Sequence, residues 1–239
     1  TFPAGLTVWI SEYNVQYSQL WGNKTGPVAD WLRATENSMM HGVHVAAHIL
    51  SGAAREYVEL MNYHTLFEVN PVSQPGFAML ALNDSGALIA PVAQVMGHLS
   101  KVFREAFSAA AEVQMLSLLE EERSKIVITA LGQGNLPCLQ AAAFCFPGGA
   151  IALLLNRCDR VLPLDDLTKA VRAAAGQGNL TFDAGVVYPG SLGEPGVTWA
   201  NFDDLTGEAP WDLPVPTKRS AGQLPEMDAT AFGIFEFRA

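Results

Sequence analysis

The chain has 239 residues, of which 49% are hydrophobic, and a formal net charge of −10 with a pI near 4.9. This length and composition suffice for one large or two modest domains with a substantial core. The acidic balance and the lack of a Lys/Arg cluster argue against a nucleic-acid partner, and no stretch is long and apolar enough to predict a membrane span. Because the chain begins at Thr1 and not at Met, we expect a processed or partial chain of a longer polypeptide.

The first predicted element is a short strand that ends at a carboxylate. Thr7 to Ile10 form an apolar, β-rich run, which is long enough for a buried strand and too short for a typical helix. Glu12, Tyr13 and Asn14 follow it. A parallel strand delivers its C-terminal residues to the face where α/β folds keep their chemistry, and acids are rarely buried without a partner. Glu12 is therefore a candidate catalytic group, and the structural alternative is a glutamate that caps a loop or pairs with an arginine.

A helix, a second strand and another helix are predicted next, over 31–52, 57–64 and 87–110. This alternation is typical of a parallel sheet. Three histidines, His41, His44 and His48, follow a helical spacing, but no acidic ligand or base accompanies them. We predict partly buried histidines there rather than a metal site, which stays the minority alternative, and we predict no cofactor.

After residue 110 the pattern changes to short β-rich runs separated by Gly and Pro, which predicts an antiparallel β-sandwich. The predicted strands cover 125–130, 139–146, 150–155, 186–188 and 231–237. The segment 164–175 resembles a helix, with a loop helix or an edge strand as the alternatives, and the Pro-rich stretch 209–216 predicts a loop.

Three cysteines and three N-glycosylation sequons give information on the cellular location of the protein. The number of cysteines is odd, so one disulfide would leave one free thiol. The expected bridge joins Cys145 either to Cys138 or to Cys158. Asn-x-Ser/Thr sequons in turn-like contexts predict glycosylation at three asparagines: Asn23, Asn83 and Asn179. Together these features favour a secreted, extracellular protein.

The segment Thr-Val-Trp-Ile-Ser-Glu-Tyr-Asn at residues 7–14 resembles the seventh strand of the large clan of retaining (β/α)8 glycosidases. The closest likeness is to the α-L-arabinofuranosidases, in which Trp-x-x-Glu-(Tyr/Trp/Phe)-Asn carries the nucleophile. The strand over 57–64 then resembles the eighth strand. The resemblance implies an α/β region, the last two βα units of a (β/α)8 TIM barrel, over residues 1–110, followed by an all-β region, a β-sandwich domain, over residues 111–239.

The resemblance also implies roles for individual residues. Glu12 would be the nucleophile of a retaining hydrolase, and Tyr13, Asn14, Trp21 and His64 would contact the sugar. Each of these four has a structural alternative, a loop role or a packing role.

The acid/base glutamate of the clan lies on the fourth strand, which this chain does not contain. Glu59 lies before the end of its predicted strand, so we expect it to form a structural pair. The implied partners are an N-terminal chain or segment that completes the barrel and a carbohydrate substrate. The alternative function is a catalytically inactive, glycosidase-like subunit that binds carbohydrate or supports an extracellular assembly.

Overall fold

In the computed structural model, the described parts of the chain are residues 6–13, 39–53, 55, 57–63, 67–69, 79–83, 86–89, 91–116, 118, 125–128, 134–158, 160–190, 217–222 and 226–239. The chain divides into two units, Thr1–Gly97 with Gly190–Val215 and His98–Pro189 with Pro216–Ala239. The division falls inside a helix, ahead of the domain boundary that the sequence predicts after residue 110.

The first unit contains a parallel strand pair and a small mixed sheet. Its elements are β1 (Val8–Tyr13), α1 (Met39–Ala53), β2 (Val58–Tyr63), β3 (Phe67–Val69), β4 (Leu80–Asn83), β5 (Gly86–Ile89) and the start of α2 (Pro91–Ser108). β1 pairs with β2 in parallel, while β3, β4 and β5 form a three-stranded sheet. The predicted order of strand, helix and parallel strand is therefore confirmed, with residues 31–38 of the predicted first helix lying outside the described residues.

The second unit is built on a six-stranded antiparallel sheet. Besides the end of α2, its elements are β6 (Glu112–Met115), β7 (Lys125–Ile128), β8 (Gly134–Pro137), β9 (Leu139–Phe146), β10 (Gly149–Asn156), β11 (Leu162–Pro163), α3 (Leu167–Ala175), β12 (Thr181–Pro189), β13 (Thr217–Ser220), β14 (Glu226–Met227) and β15 (Ala231–Arg238). The strand order in the large sheet is β13-β12-β15-β10-β9-β6.

The core of this unit lies on both faces of the sheet. The central hairpin of β9 and β10 turns at Gly148, where φ is +76°, a conformation that favours glycine. On one face, Leu154 and Phe235 are fully buried in a cluster that includes Leu167 and Val171 of α3. On the other face, Phe103 of α2 contacts Phe144 of β9 edge to face, with ring centroids 5.5 Å apart. Helices thus cover both sides of the sheet.

The antiparallel strands predicted for this region are confirmed, and the segment 164–175 contains α3, a helix. Its combination with a second sheet into a sandwich stays a prediction. The helix predicted over 87–110 is corrected at its start, because residues 86–89 form β5, which pairs with β4. The helix begins at Pro91, where the missing N–H of proline costs nothing and its fixed φ suits the first helical position.

The expected disulfides are wrong. Cys138 is bridged to Cys158, with Cα atoms 5.2 Å apart, and Cys145 is a buried free thiol. The register of the β9–β10 hairpin explains this pairing. Leu139 lies opposite Asn156 at the open end of the hairpin. Cys138 directly precedes Leu139 and Cys158 follows Asn156 by two residues, so these two cysteines meet there, whereas Cys145 lies near the turn, opposite Ala150.

Candidate active site

Glu12 occupies the next-to-last position of β1, which pairs in parallel with β2. The last residues of the two strands, Tyr13 and Tyr63, are paired with each other. Because the pairing is parallel, the C-terminal ends of β1 and β2 lie side by side at one edge, which is the edge where (β/α)8 folds carry their catalytic residues. This edge is the candidate active site.

The ladder between β1 and β2 is irregular at two points. Val8 pairs with Val58 and Trp9 with Leu60, so Glu59 is an extra residue on β2. Further along, Ile10 pairs with Met61 and Tyr13 with Tyr63, so two residues of β1, Ser11 and Glu12, face only Asn62 of β2. Glu12 thus lies within the second irregularity.

At the first irregularity, the side chain of Glu59 accepts a hydrogen bond. The indole Nε1–H of Trp9 donates to the Glu59 carboxylate at 2.7 Å. This bond, with a second from the Thr7 side chain, lowers the pKa of Glu59 below its ordinary value. The structural pairing expected for Glu59 is therefore confirmed, and its partner is an indole rather than a cation.

The two faces of β2 have different surroundings. Met61 packs against Gly52 of α1, where an added Cβ would lie too close to its sulfur, and the Tyr63 ring lies 6.5 Å from that of His41. Since side chains alternate along a strand, Leu60 points to the opposite face, and it is 40% exposed. Large apolar side chains at the strand pair are thus left uncovered, and Trp9 is the most exposed of them at 67%.

The helical histidines differ in burial. His41 is fully buried, His44 is half-buried and His48 is exposed, so the three do not share one environment. Within the described ranges, no group of three or more His, Cys, Asp or Glu side chains is arranged to hold a metal ion.

The remaining predicted residues are distributed as follows. Tyr13 ends β1, while Asn14, Trp21, Asn23 and His64 lie outside the described residues. Asn83 ends β4, and Asn179 is exposed in the turn before β12. In the part of the chain that the structure describes, no helix is long and apolar enough to cross a membrane.

No protein-family model matches the sequence, and no curated protein does. Among solved structures, a family 51 α-L-arabinofuranosidase from Bifidobacterium longum matches with a TM-score of 0.54 and 17% identity, over 97% of this chain and 42% of that one. An α-L-arabinofuranosidase from Thermotoga maritima, solved in complex with arabinose, matches with a TM-score of 0.51 and 10% identity, over 98% of this chain and 43% of that one. The fold resembles that of α-L-arabinofuranosidases.

This structural similarity supports the sequence resemblance of residues 7–14 to the retaining (β/α)8 glycosidases. These neighbours are TIM-barrel glycosidases that match along almost the whole of this chain. The chain spans about two fifths of the length of these two neighbours. At this level of identity the likeness concerns the fold, and the fold is glycosidase-like.

Proposed function

We propose that this chain is part of a retaining glycoside hydrolase in which Glu12 is the nucleophile. The observation that carries the proposal is the position of Glu12 at the C-terminal end of β1, beside the end of the parallel strand β2, in a fold that resembles α-L-arabinofuranosidases. Catalytic residues of (β/α)8 enzymes come from the C-terminal ends of several strands. An arabinofuranoside or a similar glycoside is the proposed substrate.

The chemistry follows from what retaining hydrolysis needs. Two carboxyl groups about 5–5.5 Å apart flank the glycosidic bond. The Glu12 carboxylate attacks the anomeric carbon while a carboxylic acid protonates the departing oxygen, which gives a glycosyl ester of Glu12. The same acid, now a carboxylate, takes a proton from water, and the water displaces Glu12 with net retention. Tyr13, Asn14, Trp21 and His64 are the proposed sugar contacts.

The second carboxylate and the missing barrel strands are proposed to come from an N-terminal chain or segment. A pair of parallel strands with open edges is a poor independent structure. Leu6, Trp9 and Leu60, which are 53%, 67% and 40% exposed, supply the apolar surface that further strands would cover. Glu59 is a poor candidate for the acid, because its hydrogen bonds favour the ionised form.

Secretion and N-glycosylation belong to the same proposal. Asn179 is exposed in a turn, and Thr181 of its sequon is exposed as well, so an oligosaccharide could be attached without disturbing the buried Leu180 between them. Enzymatic removal of N-glycans from the native protein should then lower its mass. An unchanged mass would remove this support for an extracellular location.

The test of the proposed function is turnover by the native assembly. The protein is isolated without reduction, any co-purifying chain is identified by peptide mapping, and the two are produced together. Glu12→Gln should lower kcat on an aryl arabinofuranoside by about 10⁴-fold or more, since loss of a nucleophile removes a step that other groups cannot replace. Glu112→Gln, at an exposed strand position of the second unit, is the matched control and should retain full turnover.

A second outcome would support the alternative function. If the co-purifying chain carries no strand-end glutamate and the assembly binds oligosaccharide without hydrolysing it, the chain is a glycosidase-like binding or structural subunit. Equal turnover by Glu12→Gln and the unmodified protein would contradict the assignment of Glu12.

A further inference from the structure

The two irregularities in the β1–β2 ladder compensate each other. Val8 and Tyr13 pair with residues fifty positions further along the chain, whereas Trp9 and Ile10 pair with residues fifty-one positions further along. The extra residue on β2, Glu59, shifts the register by one, and the extra residue on β1, in the Ser11–Glu12 pair, restores it. Without the first bulge, a straight ladder would pair every residue of β1 at one offset, and the second bulge would have no reason to form.

Such bulges are uncommon in parallel pairs and occur preferentially next to active sites, where they re-aim a side chain or end the pairing. A shift of one residue along a strand also exchanges its two faces. The register of Trp9 and Ile10, and with it the second bulge at Ser11 and Glu12, therefore depends on whether the bulge at Glu59 is present.

The bulge lies beside a hydrogen bond. The indole of Trp9 donates to the Glu59 carboxylate at 2.7 Å, and a side-chain hydrogen bond of Thr7 also lowers the pKa of that carboxyl. Thr7 and Trp9 flank Val8, the last residue paired before the shift. Residues two apart on a strand share a face, so the two donors converge on one acceptor. Hydrogen bonds to a carboxylate are shorter and stronger than those between neutral groups.

We propose that Glu59 and Trp9 form a positioning pair that fixes the register of β1 and thereby places Glu12 for catalysis. The inference rests on the proposed function of Glu12 and adds residues that act through it without touching the substrate. In this chain by itself both side chains of the pair are exposed, so we expect their hydrogen bond to act locally on the ladder and to add little to the chain's global stability.

The test compares Glu59→Leu and Trp9→Phe, which each remove one side of the hydrogen bond, with Glu59→Gln, which keeps an oxygen acceptor. Since a misplacement of about 1 Å costs on the order of 100-fold, kcat should fall by about 10-fold to 100-fold in the first two variants, with KM changed by less than about twofold. Glu59→Gln should restore most of kcat. The variant that combines Glu59→Leu with Trp9→Phe should have a kcat no lower than that of either single variant, because each substitution alone already removes the hydrogen bond.

Hydrogen exchange gives a readout that does not need activity. In the full chain as isolated, the backbone amides of residues 10–13 should exchange faster in Glu59→Leu and Trp9→Phe than in the unmodified protein and Glu59→Gln. Unchanged exchange in these variants, or kcat losses that add in the double variant, would overturn the inference.

The two proposals fail in different ways. If the proposed function is wrong, the unmodified assembly has no turnover that depends on Glu12. If only the positioning inference is wrong, turnover depends on Glu12 but is the same in Glu59→Leu as in Glu59→Gln.

Discussion

Replacing Cys138 and Cys158 together with alanine should destabilise the second unit by about 3 kcal/mol. Their bridge spans a sequence separation of 20 residues, and for a ring of this size the loop-closure relation gives about 3.3 kcal/mol at 25 °C. The ring contains the whole β9–β10 hairpin, which supplies two central strands of the sheet. Opening it therefore increases the freedom of the unfolded chain where the core is formed.

Urea unfolding is followed by far-UV circular dichroism, which reports on the antiparallel sheet of the second unit. We expect the midpoint of this transition to fall in the double variant. Cys145→Ala is the control: it removes a buried thiol outside the bridge, and should cost about 1 kcal/mol.

Two results would refute this reasoning. One is a double variant that unfolds at the same urea concentration as Cys145→Ala. The other is a non-reduced peptide map in which Cys145 takes part in the bridge, since the hairpin register places it opposite Ala150.

Two further predictions concern packing and pH. Gly233→Ala should lower the free energy of unfolding, measured in urea, by about 1–3 kcal/mol. Its Cβ would lie 2.5 Å from a ring carbon of Phe235 and 2.7 Å from the sulfur of Met227, and both side chains are fully buried. Gly97→Ala should instead raise the free energy of unfolding by about 0.5–1 kcal/mol, because among the described residues only its own helix approaches the added Cβ, and equal effects would contradict the packing argument. Burial, with the charge of a nearby lysine, lowers the pKa of His98 below 6.5, so the unfolded state binds the proton more readily and stability should fall as the pH drops below about 6.5 towards the folded pKa. His98→Gln should reduce this loss in urea unfolding between about pH 7.5 and pH 5, and an unchanged slope would refute the assignment.

The sequence predicts the elements whose signal is local. The apolar run before Glu12 and the strand that ends at Tyr63 are both found, and they pair in parallel as the alternation of strand and helix indicates. The hairpin strands β9 and β10 are also predicted, because their side chains are buried on both faces and the runs are continuously apolar.

The features that the sequence does not predict depend on register or on exposure. The edge strand β13 has the sequence Thr-Lys-Arg-Ser, whose polar side chains give no strand pattern. The bridge between Cys138 and Cys158 follows from which residues of a hairpin lie opposite each other, which sequence spacing alone leaves open. The contact between Trp9 and Glu59 likewise depends on a bulge, and no local sequence pattern predicts a bulge in a parallel strand pair.

The most direct test of the central claim is covalent trapping of the nucleophile in the native assembly. A 2-deoxy-2-fluoro arabinofuranoside with an activated leaving group forms the glycosyl ester and slows its hydrolysis, so that the ester can be mapped by mass spectrometry of a proteolytic digest. We predict one added fluorosugar on the peptide that contains Glu12. The account would be contradicted if the assembly is catalytically active but the label is found on a different carboxylate and the Glu12 peptide is unmodified.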